Sequence, residues 1–333
     1  MTISTDAPEN RRPATAHDVA RRAGVSRSTV SFILNGNGDR FLEETRLRVT
    51  EAAAALDYHP SLAGRALVSG RSGTIVLLLP STTFGENLQD AVDQITSEHL
   101  APQTNVVVRF AGADPVDTTQ ALIALQPAAV VNFGVLLQED GDRLKARGIV
   151  MVPDEPPLGN SGDGGVAALQ AEALLERGQR DLWFVALADK RSDAYGPRRF
   201  EALEAWCADH HRPPPRRTVS PLTLHGAVRS LQNVLSQSDL PVGLACYNDD
   251  VALAMLAAAK KLGLDIPTDL SAIGVDHTAV GQLWSPALTT VDTDIRGFTR
   301  ALSSELRARL NGERTPSDTS QAISMSLVRG GTH

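Results

Sequence analysis

The sequence predicts a small N-terminal all-α domain followed by a larger α/β domain of two lobes. Two short helical patterns meet at Gly24 and a third follows, which predicts the first domain. From residue 73 onward, short β-branched runs alternate with helical runs, and the repeats suffice for two parallel sheets. Size agrees, because 333 residues at 42% hydrophobic content can bury more than one core.

Residues 1–13 are polar and read as a disordered tail. In "TAHDVARRAG", Thr15 and Asp18 stand at capping-box spacing, and the acid suits the positive end of a helix. Val19, Ala20 and Ala23 share one face, and Gly24 ends the helix. Ser26 can cap the next, "SRSTVSFILN", which turns Val30, Ile33 and Leu34 inward and keeps Arg27, Ser28, Ser31 and Phe32 outward. "EETRLRVTEAAAALDY" adds Val49, Ala52, Ala53 and Leu56 to a small three-helix core. Two short helices joined by a tight glycine turn and backed by a third make a helix-turn-helix over residues 14–60.

Next comes "HPSLAGRALVSGRSG". Pro60 closes the previous helix, and "SLAGRAL" is too short to be a stable helix alone, so residues 61–72 read as a hinge and linker. Beyond it, "GTIVLLLP", "NVVVRFA", "AAVVNFG" and "GIVMVPD" are strand runs separated by helical stretches such as "ENLQDAVDQITSEHL" and "DTTQALIAL". A second series runs through "GGVAALQAEALLERG", "DLWFVALAD", "RRFEALEAWCADHH", "VGLACYND" and "LSAIGVD". Open α/β sheets bind ligands beyond the carboxyl ends of their strands, so a cleft between two such lobes is the expected site.

The net charge of −7 argues against nucleic acid if taken alone. It hides an asymmetry: residues 11–71 hold ten arginines and six acids, whereas residues 72–333 hold 22 basic and 31 acidic residues. The basic end is the candidate for polyanion contact. No apolar run approaches the roughly 20 residues of a membrane span, and "MTISTDAPENRRPATA" has no apolar segment to act as a signal peptide, which predicts a cytoplasmic protein. Cys207 and Cys246 lack metal-ligand spacing and read as buried thiols.

Enzyme signatures fail one by one. "NSGDGG" is neither a dinucleotide fingerprint nor a P-loop. No G-x-S-x-G elbow or H-E-x-x-H pair occurs. His210 and His211 precede "RPPPRR", which reads as a connector. The expectation is a protein with no catalytic residues, no metal and no cofactor.

Residues 14–75, from "ATAHDVARRAGVSRSTVSFILNG" through "EETRLRVTEAAAALDYHPSLAGRALVSGRSGTI", resemble the lac repressor/galactose repressor (LacI/GalR) family of bacterial transcription regulators. "YNDDVALAMLAAAKKLGLDIPTDLSAIGVDHTAVGQLWSPALTTVDTD" resembles the same family's C-terminal region, whose two Rossmann-like lobes are periplasmic-binding-protein-like. The resemblance implies lobes of residues 73–160 with 294–318, and of 161–293 with 319–333. It implies a homodimer on a double-stranded DNA operator, controlled by a small-molecule effector, a carbohydrate or related polar metabolite. Arg27 and Ser28 match base-reading positions, and an arginine there can satisfy both acceptors of a guanine. Thr15, Ser26, Thr29, Ser31 and Asn35 match phosphate-contacting positions, and His17 a further DNA-facing one. Leu67 matches a hinge leucine that wedges between base steps. Asn248 and Asp276 match effector-binding positions at strand ends, and Asn132 and Asp154 match cleft positions in the other lobe. Short acids and amides suit a polyhydroxylated ligand.

The sequence also departs from the family pattern. Phe32 stands where many relatives place a base-reading arginine, which predicts an apolar contact such as one with a thymine methyl. The loop "NGNGDRFLEETR" is one residue longer than usual and puts Leu42 where a serine commonly caps the third helix. Gly196 occupies the place of an arginine four residues before Phe200, with Arg198 the candidate substitute. His277 replaces a frequent second aspartate, and "PSTTFGEN" lacks an aromatic pair. These changes predict an unusual effector, or a regulator with none. A solute-binding protein of transport type shares the two lobes, but it would have no use for residues 14–68.

Overall fold

The computed structural model describes residues 12, 14–35, 38–59, 73–80, 86–97, 104–112, 114–154, 161–176, 178, 181–188, 195–313 and 324–333. Leu67 and the hinge at 61–72 lie outside them, as do the residues of the 1–13 tail other than Arg12. The chain divides into two compact units at the boundary between Gly73 and Thr74.

The first unit contains α1 (Ala16–Ala23), α2 (Arg27–Leu34) and α3 (Glu43–Ala55). The capping box forms at its start. Asp18 N–H donates to Thr15 Oγ1, while the Asp18 carboxylate accepts from the Thr15 N–H at 3.0 Å and hydroxyl at 2.7 Å. Gly24 stops α1 in the left-handed region at φ 67°, a conformation a side chain would strain. Val19, Ala20, Ala23, Val30, Val49, Ala52 and Ala53 form the buried core, lined by Ile33, Leu34 and Leu56. Leu42 precedes α3 without any side-chain cap and is 78% exposed.

The second unit holds two sheets. The first is parallel in the order β2-β1-β3-β4, from Thr74–Leu79 (β1), Asn105–Phe110 (β2), Ala129–Asn132 (β3) and Val150–Val152 (β4). β1 is buried along its whole length, which is why its sequence is a continuous apolar run. Ile75, Leu77 and Leu79 pack under Ala91 and Ile95 of α4 (Glu86–Ser97). Val76 and Leu78 point the other way, toward Leu122 of α5 (Pro115–Leu125) and Leu144 of α6 (Gln138–Lys145).

The second sheet runs β6-β5-β7-β8-β9-β10, from Asp181–Leu187 (β5), Arg216–Ser220 (β6), Val242–Cys246 (β7), Leu270–Val275 (β8), Thr289–Asp292 (β9) and Ser326–Val328 (β10). Only β10 is antiparallel. Its flanking helices include α7 (Ser161–Glu176), α8 (Gly196–Asp209), α9 (Leu224–Leu235) and α10 (Asp249–Leu262), and a short α11 (Ala279–Leu283) follows β8. The "RPPPRR" connector ends sooner than its composition suggests, because Arg216 and Arg217 open the edge strand β6 beside β5.

The chain then crosses back. α12 (Ile295–Leu310) follows β9 of the second sheet but packs Phe298, Leu302 and Leu306 into the core of the first. Both sheets place their first and third strands side by side, creating a switch point between β1 and β3 and another between β5 and β7. Cys207 and Cys246 are free and buried, and burial raises both thiol pKa values. No described helix is long and apolar enough to cross a membrane.

Candidate nucleic-acid interface and ligand cleft

α2 begins at Ser26, whose Oγ accepts from Thr29 N–H at 3.1 Å. The same oxygen lies 2.7 Å from Ser28 Oγ and 2.8 Å from Thr29 Oγ1, so three hydroxyls cluster at the positive end of the helix. Arg27, Ser28 and Phe32 are exposed, and Ser31 and Asn35 are half-buried with Asn35 Nδ2 donating to Ser31 Oγ. α2 carries no acid in its first turn, and Arg27 has no ion-pair partner among the described residues. His17 is exposed on α1.

Two expectations for this face change. Thr15 spends its hydroxyl proton on Asp18, so in this geometry it is a cap rather than a phosphate donor. The ring of Phe32 is not bare: the guanidinium carbon of Arg40 lies 3.5 Å from its centroid. Arg40 reaches this place from the loop, a position that no helical periodicity marks.

In the second unit, Asn132, Asp154, Asn248 and Asp276 all stand at or just beyond carboxyl ends of strands that neighbour each other in pairs, β3 with β4 and β7 with β8. Asn248 caps α10 through its oxygen, which accepts from Val251 N–H at 3.0 Å, and its amide donors have no partner among the described residues. Asp276 and His277 follow β8 with φ of 106° and 50°, backbone conformations costly for side-chain-bearing residues and common where a site over-determines them. His277 Nδ1 lies 3.3 Å from Asp292 Oδ2.

Asn132 departs from the expected role. It is 3% exposed, accepts at Oδ1 from Val135 and Leu136 N–H, and donates to Leu136 O. That network shapes the turn after β3 rather than facing a ligand. Asp154 is half-exposed and joined to Lys145 at 3.5 Å and Arg309 at 3.1 Å, tying the strand end to α6 and α12.

Between the sheets lies a cluster that the sequence reading mostly missed. Tyr195 Oη donates to Phe133 O at 2.9 Å, linking the start of α8 to the end of β3. Burial pushes its phenol up to about 12, and the charges of Arg199, Asp163, Arg198 and Asp276 all act on it. Arg198 pairs with buried Asp163 at 2.9 Å but stays 36% exposed. The more buried arginine is its neighbour. Arg199 is 14% exposed, sits 3.7 Å from Asp163, donates to Tyr247 O and lies 5.1 Å from the Tyr247 ring. Helical phase could have found it, because Gly196, Leu203 and Cys207 mark the buried face of α8 on which Arg199 falls.

A further missed residue ties the start of α10 to α11 and β9. Asp249 is fully buried and accepts from Thr278 N–H at 2.7 Å, Thr278 Oγ1 at 2.9 Å and Thr290 Oγ1. Burial raises its pKa despite those donors. Gly274 must be glycine here, since a Cβ would stand 2.1 Å from Asp249 Oδ1.

Comparison with known proteins settles the ancestry. Residues 15–61 match the family of bacterial regulatory proteins, lacI family, and residues 171–333 match the periplasmic binding protein-like domain. The ribose operon repressor of Haemophilus influenzae is 30% identical over 305 residues, covering 84% of this chain and 86% of that protein. The chain belongs to the lacI family. This lacI-family protein is also 28% identical to the transcriptional repressor PurR of Erwinia tasmaniensis over 343 residues, 95% of this chain and 96% of the relative. Its fold matches the lac repressor dimer bound to operator and the anti-inducer ONPF, with a TM-score of 0.72 at 21% identity over 96% of this chain and 99% of that one. A lacI-family regulator from Silicibacter pomeroyi gives 0.74 at 22% identity, again over 96% and 99%.

Proposed function

We infer that the chain is a cytoplasmic transcriptional repressor that binds a pseudo-palindromic operator as a homodimer and answers to a small polar effector in the cleft. The observation that carries the DNA reading is Arg27, exposed in the first turn of α2 and free of any carboxylate among the described residues. A guanine offers the paired acceptors that such a guanidinium lacks. Ser26, Thr29, Ser31, Asn35 and His17 then hold the helix in register through phosphates, with Ser28 beside Arg27 at the base edges. Leu67, in the hinge, is assigned the wedge at the operator centre. Leu222, Leu224, Val280 and Leu283 are exposed apolar side chains of the second unit and are candidates for the contact between copies.

Asn248 and Asp276 are the proposed effector contacts, with Asp154 and Arg198 at the margins. Ligand binding shifts the population of chains able to hold DNA. A second reading, a regulator with no effector, is favoured by the Tyr195 bridge and the Arg199–Asp163 pairing, which engage these polar groups within the protein itself.

Selection of bound duplexes from a random library tests the main reading. A two-fold symmetric sequence is the expected product. Equal binding to all duplexes at moderate ionic strength, with and without sugars and nucleobases, would sink it. A thermal-shift screen of polar metabolites against the full chain separates the two effector readings: a shift abolished by Asp276→Ala supports the cleft.

A further inference from the structure

The outward face of α2 carries a phenylalanine one helical turn beyond Ser28, and that ring, 36% exposed, is partly covered by a cation. Arg40 Cζ is 3.5 Å from the Phe32 centroid, and at that separation the planar guanidinium lies against the ring face. Phe41 stands farther off, at 5.1 Å from the same carbon. The loop holds Arg40 in place by a turn in which Phe41 N–H donates to Gly38 O at 2.9 Å. Asp39, its sequence neighbour, pairs instead with Arg46 at 3.6 Å, and no described carboxylate pairs with Arg40.

A guanidinium held face-on to a ring keeps its in-plane N–H groups free, and those are the groups that meet paired acceptors. The ring also removes rotamer freedom that a solvated arginine would otherwise lose on binding. The arrangement therefore presents a pre-oriented donor fork on the same face as Arg27 and Ser28, at a place where the helix itself supplies no cation.

We propose that Arg40, seated on Phe32, is a second base-reading arginine that donates bidentately to a guanine in the major groove of the operator. The proposal rests on the DNA-binding reading above. It makes Phe32 a positioning residue, and it replaces the thymine-methyl contact expected from the sequence.

The test is selection of random duplexes by the full chain in six forms: unaltered, Arg40→Ala, Arg40→Lys, Phe32→Leu, Phe32→Leu combined with Arg40→Ala, and Arg27→Ala. Titrations of the selected site at several salt concentrations accompany it. The unaltered chain should select guanine at two distinct positions per half-site. Arg40→Ala should lose one of them, with discrimination there falling about tenfold or more, and Arg27→Ala should lose the other. Arg40→Lys keeps the charge but not the fork, so it should lose the same position as Arg40→Ala. Phe32→Leu should weaken that position too, and adding it to Arg40→Ala should cost nothing further. Uniformly weaker binding by Arg40→Ala, with an unchanged selected sequence and a salt slope lower by about one, would mean a phosphate contact and overturn the proposal. A Phe32→Leu change at some other position would overturn the platform role. Failure of the unaltered chain to select any sequence defeats the DNA-binding reading itself, so the two failures are distinguishable.

Discussion

The phenol of Tyr195 donates a 2.9 Å hydrogen bond to the carbonyl oxygen of Phe133, so a residue opening α8 on the second sheet is tied to the turn that leaves β3 on the first. The bond sits beside both switch points, where relative movement of the sheets would be felt first. Tyr195→Phe keeps the ring and removes this link. It should lower the stability of the second unit by about 1 kcal/mol and raise the radius of gyration in solution. Urea unfolding and small-angle scattering read the two effects, and identical curves would remove the bridge from the account.

Asp249 makes a prediction with a sign. Burial raises its pKa above the ordinary carboxylate value, so the unfolded chain gives up this proton more readily than the folded one. Its contribution to stability should be greatest in acid and should fall as pH rises from the ordinary value through the folded one. Subtracting the pH–stability curve of Asp249→Asn isolates that slope. Asp249→Ala strands the Thr278 and Thr290 donors and should cost about 3 kcal/mol or more.

Asp18 behaves in the opposite sense. The Thr15 hydroxyl and N–H, with Arg12 and Arg21 nearby, hold its pKa down to about 2 from 3.8. Its support of α1 should be complete above about pH 4 and lost as pH falls toward 2. Carboxyl NMR should give a midpoint near 2, moving upward in Thr15→Ala. A midpoint at the ordinary value would exclude the capping box in solution.

On DNA, Arg27→Ala should relax preference at one operator position at a cost of about 1 to 3 kcal/mol, and unchanged selectivity would withdraw the role. Leu67→Ala should reduce operator bending with less effect on half-site choice, which a circular-permutation gel mobility assay measures.

What the sequence disclosed was local chemistry. The Thr15–Asp18 box, the stop at Gly24 and the Ser26 cap involve partners within a few residues, and each is present as spacing predicts. β1 was equally plain, because burial on both faces leaves an uninterrupted apolar run. Residues whose meaning depends on distant partners were not legible. Asp249 looks like one more acid after Asn248 until Thr278 and Thr290, 29 and 41 residues away, are folded onto it. β6 is a strand only because β5 lies beside it, and its arginines gave no apolar signal. Motif spacing points to Arg198, whereas helical phase points to Arg199, which lies on the face marked by Gly196, Leu203 and Cys207. Arg40 belongs to a loop, where neither periodicity nor capping constrains a side chain.

The return of α12 to the first sheet bears on how a growing polypeptide can fold. β1 ends at Leu79, yet the helix that supplies Phe298, Leu302 and Leu306 to its core is complete only at Leu310. At about 5–20 residues per second, a ribosome needs more than ten seconds to cover that interval. Throughout it, the side of the earliest strands that α4 covers lacks its second helix. The central strands of the second sheet and their flanking helices are nearly contiguous in sequence and are free to consolidate first, while the first sheet waits for α12 and the second then gains its edge strand β10.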